Sequence, residues 1–336
     1  MMPKILILFC GGTLVMEEDE DGTLIVPPKE RAIENLLNIE PKLNHVAELQ
    51  VAYIDNIDST NINPDHWDLM AEVIATNYDQ FDGFVITHGT DTMAYTASAL
   101  SYILQNLGKP VILTGAQIPG GKIETDARRN LINAIRVAQE DIAGVMIVFD
   151  EEIILGSRAS KVSESRLKAF ETINWDVLGE IRIDIRFSDD RKRRHSGVLM
   201  VKKGFEPNIA VITLVPGTPV GMVKNVLAGG IKGLVLIGFG TGNIAYPYLE
   251  AISMARDLRI PVVVTTQCRE GATMMHLYDV GRQALKLGAI EAYDMSLESI
   301  VTKLMWALKH AENYDQIKTI MHTNFTGEIN KERKIF

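Results

Sequence analysis

Cysteine is nearly absent: Cys10 and Cys268 are the only two in 336 residues. That excludes a disulfide framework and fits a reducing compartment, so the chain is read as cytoplasmic. Positive charge is also short. Lys and Arg number 34 against 43 Asp and Glu, a formal net charge of -9 at pH 7. Such a balance argues against a nucleic-acid partner, whose phosphates need a basic surface. The one basic run, Arg191-Lys192-Arg193-Arg194, reads as a solvated connection. Long apolar runs are missing. Residues 5–10 are too few for a signal h-region and precede no small-residue cleavage site. Nothing approaches the ~20 apolar residues of a membrane span, so no membrane partner is expected.

Several catalytic signatures are missing as well. Without a G-x-S-x-G elbow, an α/β-hydrolase is disfavoured. No phosphate loop of the G-x-x-x-x-G-K-S/T kind and no H-E-x-x-H helix occur. The 7 histidines and two cysteines show no metal-ligand spacing, so no metal is expected. Gly238-Phe239-Gly240-Thr241-Gly242-Asn243 departs from G-x-G-x-x-G and lacks the acidic residue that should follow, so no nucleotide cofactor is expected.

What is present is an ordinary soluble composition, 46% hydrophobic and 23% charged. Apolar runs at residues 4–9, 82–86, 111–113 and 145–149 read as strands buried on both faces, and residues 46–54 suggest a further strand ending in the polar turn at Asp58-Ser59. Helical stretches alternate with them at 30–37, 65–77, 93–105 and 126–139, which demands a mostly parallel sheet with right-handed crossovers. Asn63-Pro64 gives the second helix a cap and a first-turn proline, and Asp126 is expected to cap the fourth. Residues 153–161 read as an antiparallel excursion. A second set follows: strands at 210–215, 233–237 and 262–265, and helices at 220–227, 247–257, 297–310 and 314–321. The expected fold is therefore α/β, a larger N-terminal mostly parallel sheet flanked by helices plus a smaller C-terminal α/β domain. Its parts are a catalytic domain (1–188), a linker (189–207) and a C-terminal domain (208–336).

The chain is organised around Val85-Ile86-Thr87-His88-Gly89-Thr90-Asp91-Thr92-Met93. A buried strand runs through a tight glycine turn into a helix that Thr90, Asp91 or Thr92 would cap. Backbone N–H groups and the positive end of the helix dipole meet there, which favours a bound anion or a developing negative charge. Thr90 adds a hydroxyl and Asp91 a carboxylate. Gly11-Gly12-Thr13 ends the first strand in the same way, before an acidic, mobile-looking segment, Glu17-Glu18-Asp19-Glu20-Asp21-Gly22. That pattern reads as a lid hinged at the glycines and carrying Thr13. Asp58-Ser59 and Thr114-Gly115-Ala116-Gln117 occupy two further strand ends. Polar turns at strand C-termini are where an open α/β sheet places its ligand. His88 reads as structural, and Lys161 on position alone reads as a surface lysine.

These motifs, in this order, resemble the cytoplasmic type I bacterial L-asparaginases of the asparaginase/glutaminase family over essentially the whole length. Gly11-Gly12-Thr13 with His88-Gly89-Thr90-Asp91-Thr92-Met93 is the most specific pairing; Lys161, Gly242-Asn243 and Thr266-Gln267-Cys268 add to it. The resemblance implies hydrolysis of L-asparagine to L-aspartate and ammonia, with water as second substrate and no cofactor. It implies Thr13 as nucleophile on a flap, and Thr90, Asp91 and Lys161 as a second catalytic group. It places Asp58, Ser59, Thr90, Asp91 and Ala116 around the substrate, and Asn243 at a neighbouring subunit's site in a homodimer or homotetramer. Physically, a threonine hydroxyl needs activation. A desolvated, partly neutral Lys161 amine could supply it, and backbone N–H groups at Gly89–Asp91 could hold the oxyanion.

One departure stands out. The family's flap normally carries a tyrosine soon after the G-G-T motif; Thr23 holds that position here, and the first tyrosine is Tyr53. Loss of an acid–base partner costs ~100- to 10,000-fold. The alternatives are therefore a weakly active asparagine- or aspartate-binding protein, or an amidase for glutamine or a related amide. The chain shows no obvious extra N-terminal module of the kind carried by the related tRNA-dependent amidotransferase subunit.

Overall fold

The structure, a computed structural model, describes residues 2–332. The chain parts into two compact units, one ending at Lys203 and one beginning at Gly204.

In the first unit, strand β1 (Lys4–Gly11) is buried along all but its first residue. It lies between β2 (Glu48–Ile57) and β3 (Gly83–Thr87), parallel to both. Strands β4 (Pro110–Thr114) and β5 (Gly144–Phe149) extend the parallel set. Strand β6 (Glu152–Leu155) then turns back antiparallel against β5. With β7 (Gly179–Ile181) and β8 (Ile185–Phe187) it completes an 8-stranded sheet in the order β8-β7-β6-β5-β4-β3-β1-β2. Helices α1 (Lys29–Asn38), α2 (Pro64–Thr76), α3 (Met93–Ile103) and α4 (Ala127–Val137) cover it.

Alternate side chains of a strand face opposite ways. Ile5, Ile7 and Phe9 pack with Val85, Ile112 and Met146 and with Leu36 of α1 and Leu131 of α4. Helix α3 packs on β5, and α2 packs on α3. A sheet covered on both faces has no polar side to show, which is why its strands read as unbroken apolar runs.

Burial also explains α3. No side chain caps its N-terminus: Thr92 holds the cap position but donates its hydroxyl to the Ser59 carbonyl at 2.7 Å. Every residue of α3 except Tyr95 is buried. Each such aliphatic side chain contributes about 1.5–3 kcal/mol, more than a missing cap of about 1 kcal/mol. Asp126 likewise does not cap α4. Its carboxylate accepts from the backbone N–H groups of Gln117 and Ile118, at 3.0–3.1 Å, and from Asn130 at 2.9 Å. It fixes the loop after β4 instead.

The basic run, though exposed at Lys192 and Arg193, is tied to the first unit at several points. Arg194 donates to the carbonyls of Ala138, Glu140 and Asp82, and Arg193 pairs with Asp141 at 3.0 Å. Lys192 reaches the Leu107 carbonyl. Cations at the carbonyl end of α4 satisfy orphan acceptors and suit the negative end of its dipole, so these residues belong to the first unit.

The second unit repeats the pattern in smaller form. Parallel strands β9 (Ile209–Thr213), β10 (Gly233–Gly238), β11 (Val262–Thr266) and β12 (Ile290–Glu291) lie in that order. The helices are α5 (Val220–Ala228), α6 (Tyr248–Asp257), α7 (Asp279–Lys286), α8 (Leu297–His310) and α9 (Tyr314–His322). Helix α7 was not legible in the sequence because it is short and carries Gly281, a poor helix former. A Cβ there would lie 2.1 Å from the Met275 carbonyl oxygen, so packing forbids anything larger. Lys303 and Glu328 form a fully buried pair at 2.6 Å that ties the chain after α9 to α8. No described helix is long and apolar enough to cross a membrane.

Candidate active site

Four loops meet at the C-terminal edge of the first unit's parallel strands, and glycine lets them touch. At Gly12, φ is +94°, and a Cβ there would come within 2.7 Å of the Gly89 nitrogen. A Cβ on Gly89 would come within 2.6 Å of the Ser59 hydroxyl oxygen. The ends of β1 and β3 therefore meet backbone on backbone, and the Ser59 side chain after β2 packs directly on the Gly89 backbone, which no larger residue permits at these positions. The β4 loop joins them through Gly115, packed against the His88 carbonyl.

On this frame the structure joins Thr90, Asp91 and Lys161. Lys161 arrives on a short strand, Ala159–Lys161, paired antiparallel with Phe170–Thr172. Its ammonium donates to Thr90 Oγ1 at 2.8 Å and to Asp91 Oδ1 at 2.5 Å. Lys161 is thus a partly buried ion-pair partner rather than a surface lysine. Thr90 Oγ1 in turn donates to Gln117 Oε1 at 3.1 Å. The Gln117 amide is held by the Ser163 and Arg166 carbonyls, both at 3.3 Å. Gln117 was not singled out as a site residue from the sequence, although it lies in the Thr114-Gly115-Ala116-Gln117 turn; only the fold shows that it reaches Thr90.

Ser59 is buried beneath this turn and Ala116 is buried beside Gln117. Asp58 is exposed, with one carboxylate oxygen accepting from the Thr60 backbone and hydroxyl at 2.8 and 2.9 Å. Thr13 follows Gly12 and opens a single 3-10 turn, Thr13–Val15. Asn243 lies in the second unit, where its backbone pairs with Phe239 at 2.7 and 2.8 Å.

The acidic segment forms a small hairpin, Glu17–Glu18 against Leu24–Ile25. Glu17 is gripped by Arg31 at 2.6 Å and Asn35 at 2.8 Å, and Glu18 by Lys122 at 2.5 Å. Both carboxylates meet cations in this conformation. Thr23 uses its backbone to close the turn on Asp19. A cleft of about 580 Å³ lies behind the hairpin, lined by Val15, Glu17, Arg31, Asn35, Gly120 and Lys122 among others. Thr90, Asp91 and Lys161 do not line it.

His88 is fully buried. Its Nδ1 lies 2.7 Å from the Gly89 carbonyl, and its Nε2 lies 2.9 Å from Thr96 Oγ1. Burial pushes its pKa from 6.5 down to about 4, against the opposing pull of the Gly89 carbonyl. The ring is therefore neutral at pH 7 with its proton on Nδ1. It is a structural histidine, as its place at a strand end suggested. Among the described residues, no cluster of three or more His, Cys, Asp or Glu side chains is placed to hold a metal ion.

Residues 4–193 match the family model "Asparaginase, N-terminal", and residues 208–321 match "Glutaminase/Asparaginase C-terminal domain". The chain belongs to the asparaginase family. It is 37% identical to an L-asparaginase of Thermococcus kodakarensis, across 97% of this chain and 99% of that one. The solved structure of the thermostable L-asparaginase from that organism superposes with a TM-score of 0.89 at 36% identity, covering 97% of this chain and 99% of that chain. L-asparaginase 1 of Escherichia coli K12 is 35% identical, across 97% of this chain and 98% of its own. The D-type subunit of the glutamyl-tRNA(Gln) amidotransferase of Pyrococcus abyssi is 34% identical across 98% of this chain, which spans 77% of that polypeptide. The two-unit α/β architecture is thus an asparaginase fold.

Proposed function

We propose that this chain is an amidohydrolase that hydrolyses L-asparagine to L-aspartate and ammonia. One observation carries the reading: Lys161 bridges Thr90 and Asp91 at a strand–helix turn whose backbone also packs against Gly12 and Ser59. In this reading the Thr13 hydroxyl gives its proton to the Thr90–Lys161–Asp91 group as its oxygen attacks the side-chain amide carbon. A C–O bond forms, the carbonyl π bond opens to an oxyanion, and N–H groups of the Gly89–Asp91 turn hold that charge. The C–N bond then breaks and ammonia leaves with a proton delivered through Thr90 and Lys161. Water, giving its proton to the same Thr90–Lys161–Asp91 group, attacks the acyl-Thr13 ester and releases aspartate. Asp58 and Ser59 grip the α-carboxylate and ammonium, with Asp91 as second partner of the ammonium. Ala116 lies near the scissile amide. Asn243 completes a neighbouring subunit's site in a homo-oligomer.

Support comes from the L-asparaginases that match this chain over nearly its whole length. A second reading has its own observation. Thr23, an aliphatic alcohol with no phenol, stands where a flap tyrosine is usual, so binding with slow turnover is the competing outcome. Glutamine differs from asparagine by one methylene, worth about 1–3 kcal/mol in a pocket. A steady-state ammonia assay with both substrates decides. Asparagine is expected to have the higher kcat/KM. Faster glutamine hydrolysis moves the assignment to a glutaminase, and no release from either substrate refutes hydrolysis.

A further inference from the structure

Behind the turn that carries Thr90 lies a buried chain of hydrogen bonds that the reaction itself does not use. Trp67 Nε1, on α2, donates to Thr96 Oγ1, on α3, at 3.0 Å. Thr96 Oγ1 meets His88 Nε2 at 2.9 Å, and His88 Nδ1 meets the Gly89 carbonyl at 2.7 Å. Only one assignment of protons satisfies every atom. The indole donates, the Thr96 hydroxyl accepts from it and donates to Nε2, and the imidazole carries its proton on Nδ1. A ring flip would put C–H edges where both nitrogens now stand, and both bonds would be lost.

The last bond in this chain lands on a peptide that matters. All described peptide bonds are trans, so the Gly89 carbonyl and the Thr90 N–H point in opposite directions from one rigid plane. Fixing the carbonyl fixes the N–H. The Thr90 N–H has no acceptor among the described residues, although Thr90 itself is buried. With no backbone carbonyl taking it, this N–H is free to donate to an incoming acceptor. Gly89 is the residue whose plane would otherwise turn most easily.

We propose that His88 is a positioning residue. Through Nδ1–H on the Gly89 carbonyl it locks the Gly89–Thr90 peptide so that the Thr90 N–H faces the oxyanion formed from the substrate amide. The inference rests on the hydrolytic reading above, and it adds a residue that touches neither substrate nor nucleophile. Helices α2 and α3 thereby set the electrostatics of the site through three side chains.

The test compares His88→Leu, which removes the donor, with His88→Asn, whose amide N–H can take the place of Nδ1–H. Removing the lock should lower kcat for asparagine by roughly 100-fold in His88→Leu, the worth of one oxyanion donor, with KM within about threefold. His88→Asn should recover roughly tenfold or more of that loss. A folded His88→Leu with unchanged kcat overturns the proposal, and so does His88→Asn as inactive as His88→Leu. Should His88→Leu not fold, Thr96→Val decides. It frees Nε2 and lets the proton leave Nδ1, so kcat should fall several-fold at constant KM, and an unchanged kcat refutes the lock. Wild-type turnover is read in the same assay, so failure of the hydrolytic reading is visible separately. In that event the Thr90 amide signal in 15N-threonine protein remains informative. It should be a single peak in wild type and His88→Asn but broadened in His88→Leu; single peaks in all three overturn the lock.

Discussion

Burial of His88 couples the stability of the first unit to pH in a way that can be worked out and measured. Its pKa is 6.5 when exposed and about 4 in the fold. Between those values the unfolded chain binds a proton that the native chain refuses. Stability therefore rises with pH across that window, and it is lost as pH falls from 6.5 toward 4. Each pH step of one is worth about 1.36 kcal/mol. Allowing for partial titration at the ends, going from pH 7.5 to pH 4.5 should remove about 2.5 kcal/mol through this group alone. Other groups titrate in the same range, so the measured quantity is a difference between two proteins. Urea unfolding of wild type and His88→Asn, each at pH 7.5 and 4.5, isolates it, because Asn has nothing to titrate. The variant should be less stable at pH 7.5 yet lose about 2.5 kcal/mol less on acidification. Equal losses in the two proteins would show that His88 titrates normally in the fold, and a ring signal moving with a midpoint near 6.5 would show it directly.

Three further outcomes follow from the geometry. Thr90→Val keeps the side-chain volume but removes the hydroxyl that joins Lys161 to Gln117; turnover should fall by at least ~100-fold with the melting curve nearly unchanged, and retained activity would count against its role. Glu17→Gln weakens the hairpin's hold on Arg31 and Asn35; kcat should fall roughly 3- to 10-fold through misplacement of Thr13, with faster amide exchange across residues 13–25, and unchanged exchange would mean that Glu17 anchors nothing. Lys303→Met leaves Glu328 buried without its cation; this should cost about 3–5 kcal/mol of unfolding free energy, and Lys303→Met combined with Glu328→Gln should recover part of it. No such loss would show that the pair is not closed in solution.

Much of the fold was legible in residue order. Unbroken apolar strands separated by helix-length stretches leave little besides a mostly parallel sheet covered on both faces, and residues 4–9, 82–86 and 145–149 became such strands. The second unit's strand–helix alternation was equally readable, but not α7, whose glycine and brevity hide it. Charge patterning left the partners of both charged runs open. The acidic run folds as a small hairpin whose Glu17 and Glu18 meet Arg31, Asn35 and Lys122, and within the basic run Arg194 holds the carbonyl end of α4. Charge reports solubility until a partner is known, and those partners lie far off in sequence.

The same division holds at the site. Sequence alone settled which residue types stand at the strand ends, because glycine is needed wherever backbones stack and the hydroxyls and carboxylates sit beside those glycines. Only the tertiary structure decided that Lys161, 70 residues beyond Asp91, turns inward to bridge it to Thr90, and that Trp67 and Thr96 reach the peptide before Thr90 by way of His88. Local chemistry follows from the order of residues along the chain. Convergence of distant groups on one atom depends on how the sheet and its helices pack.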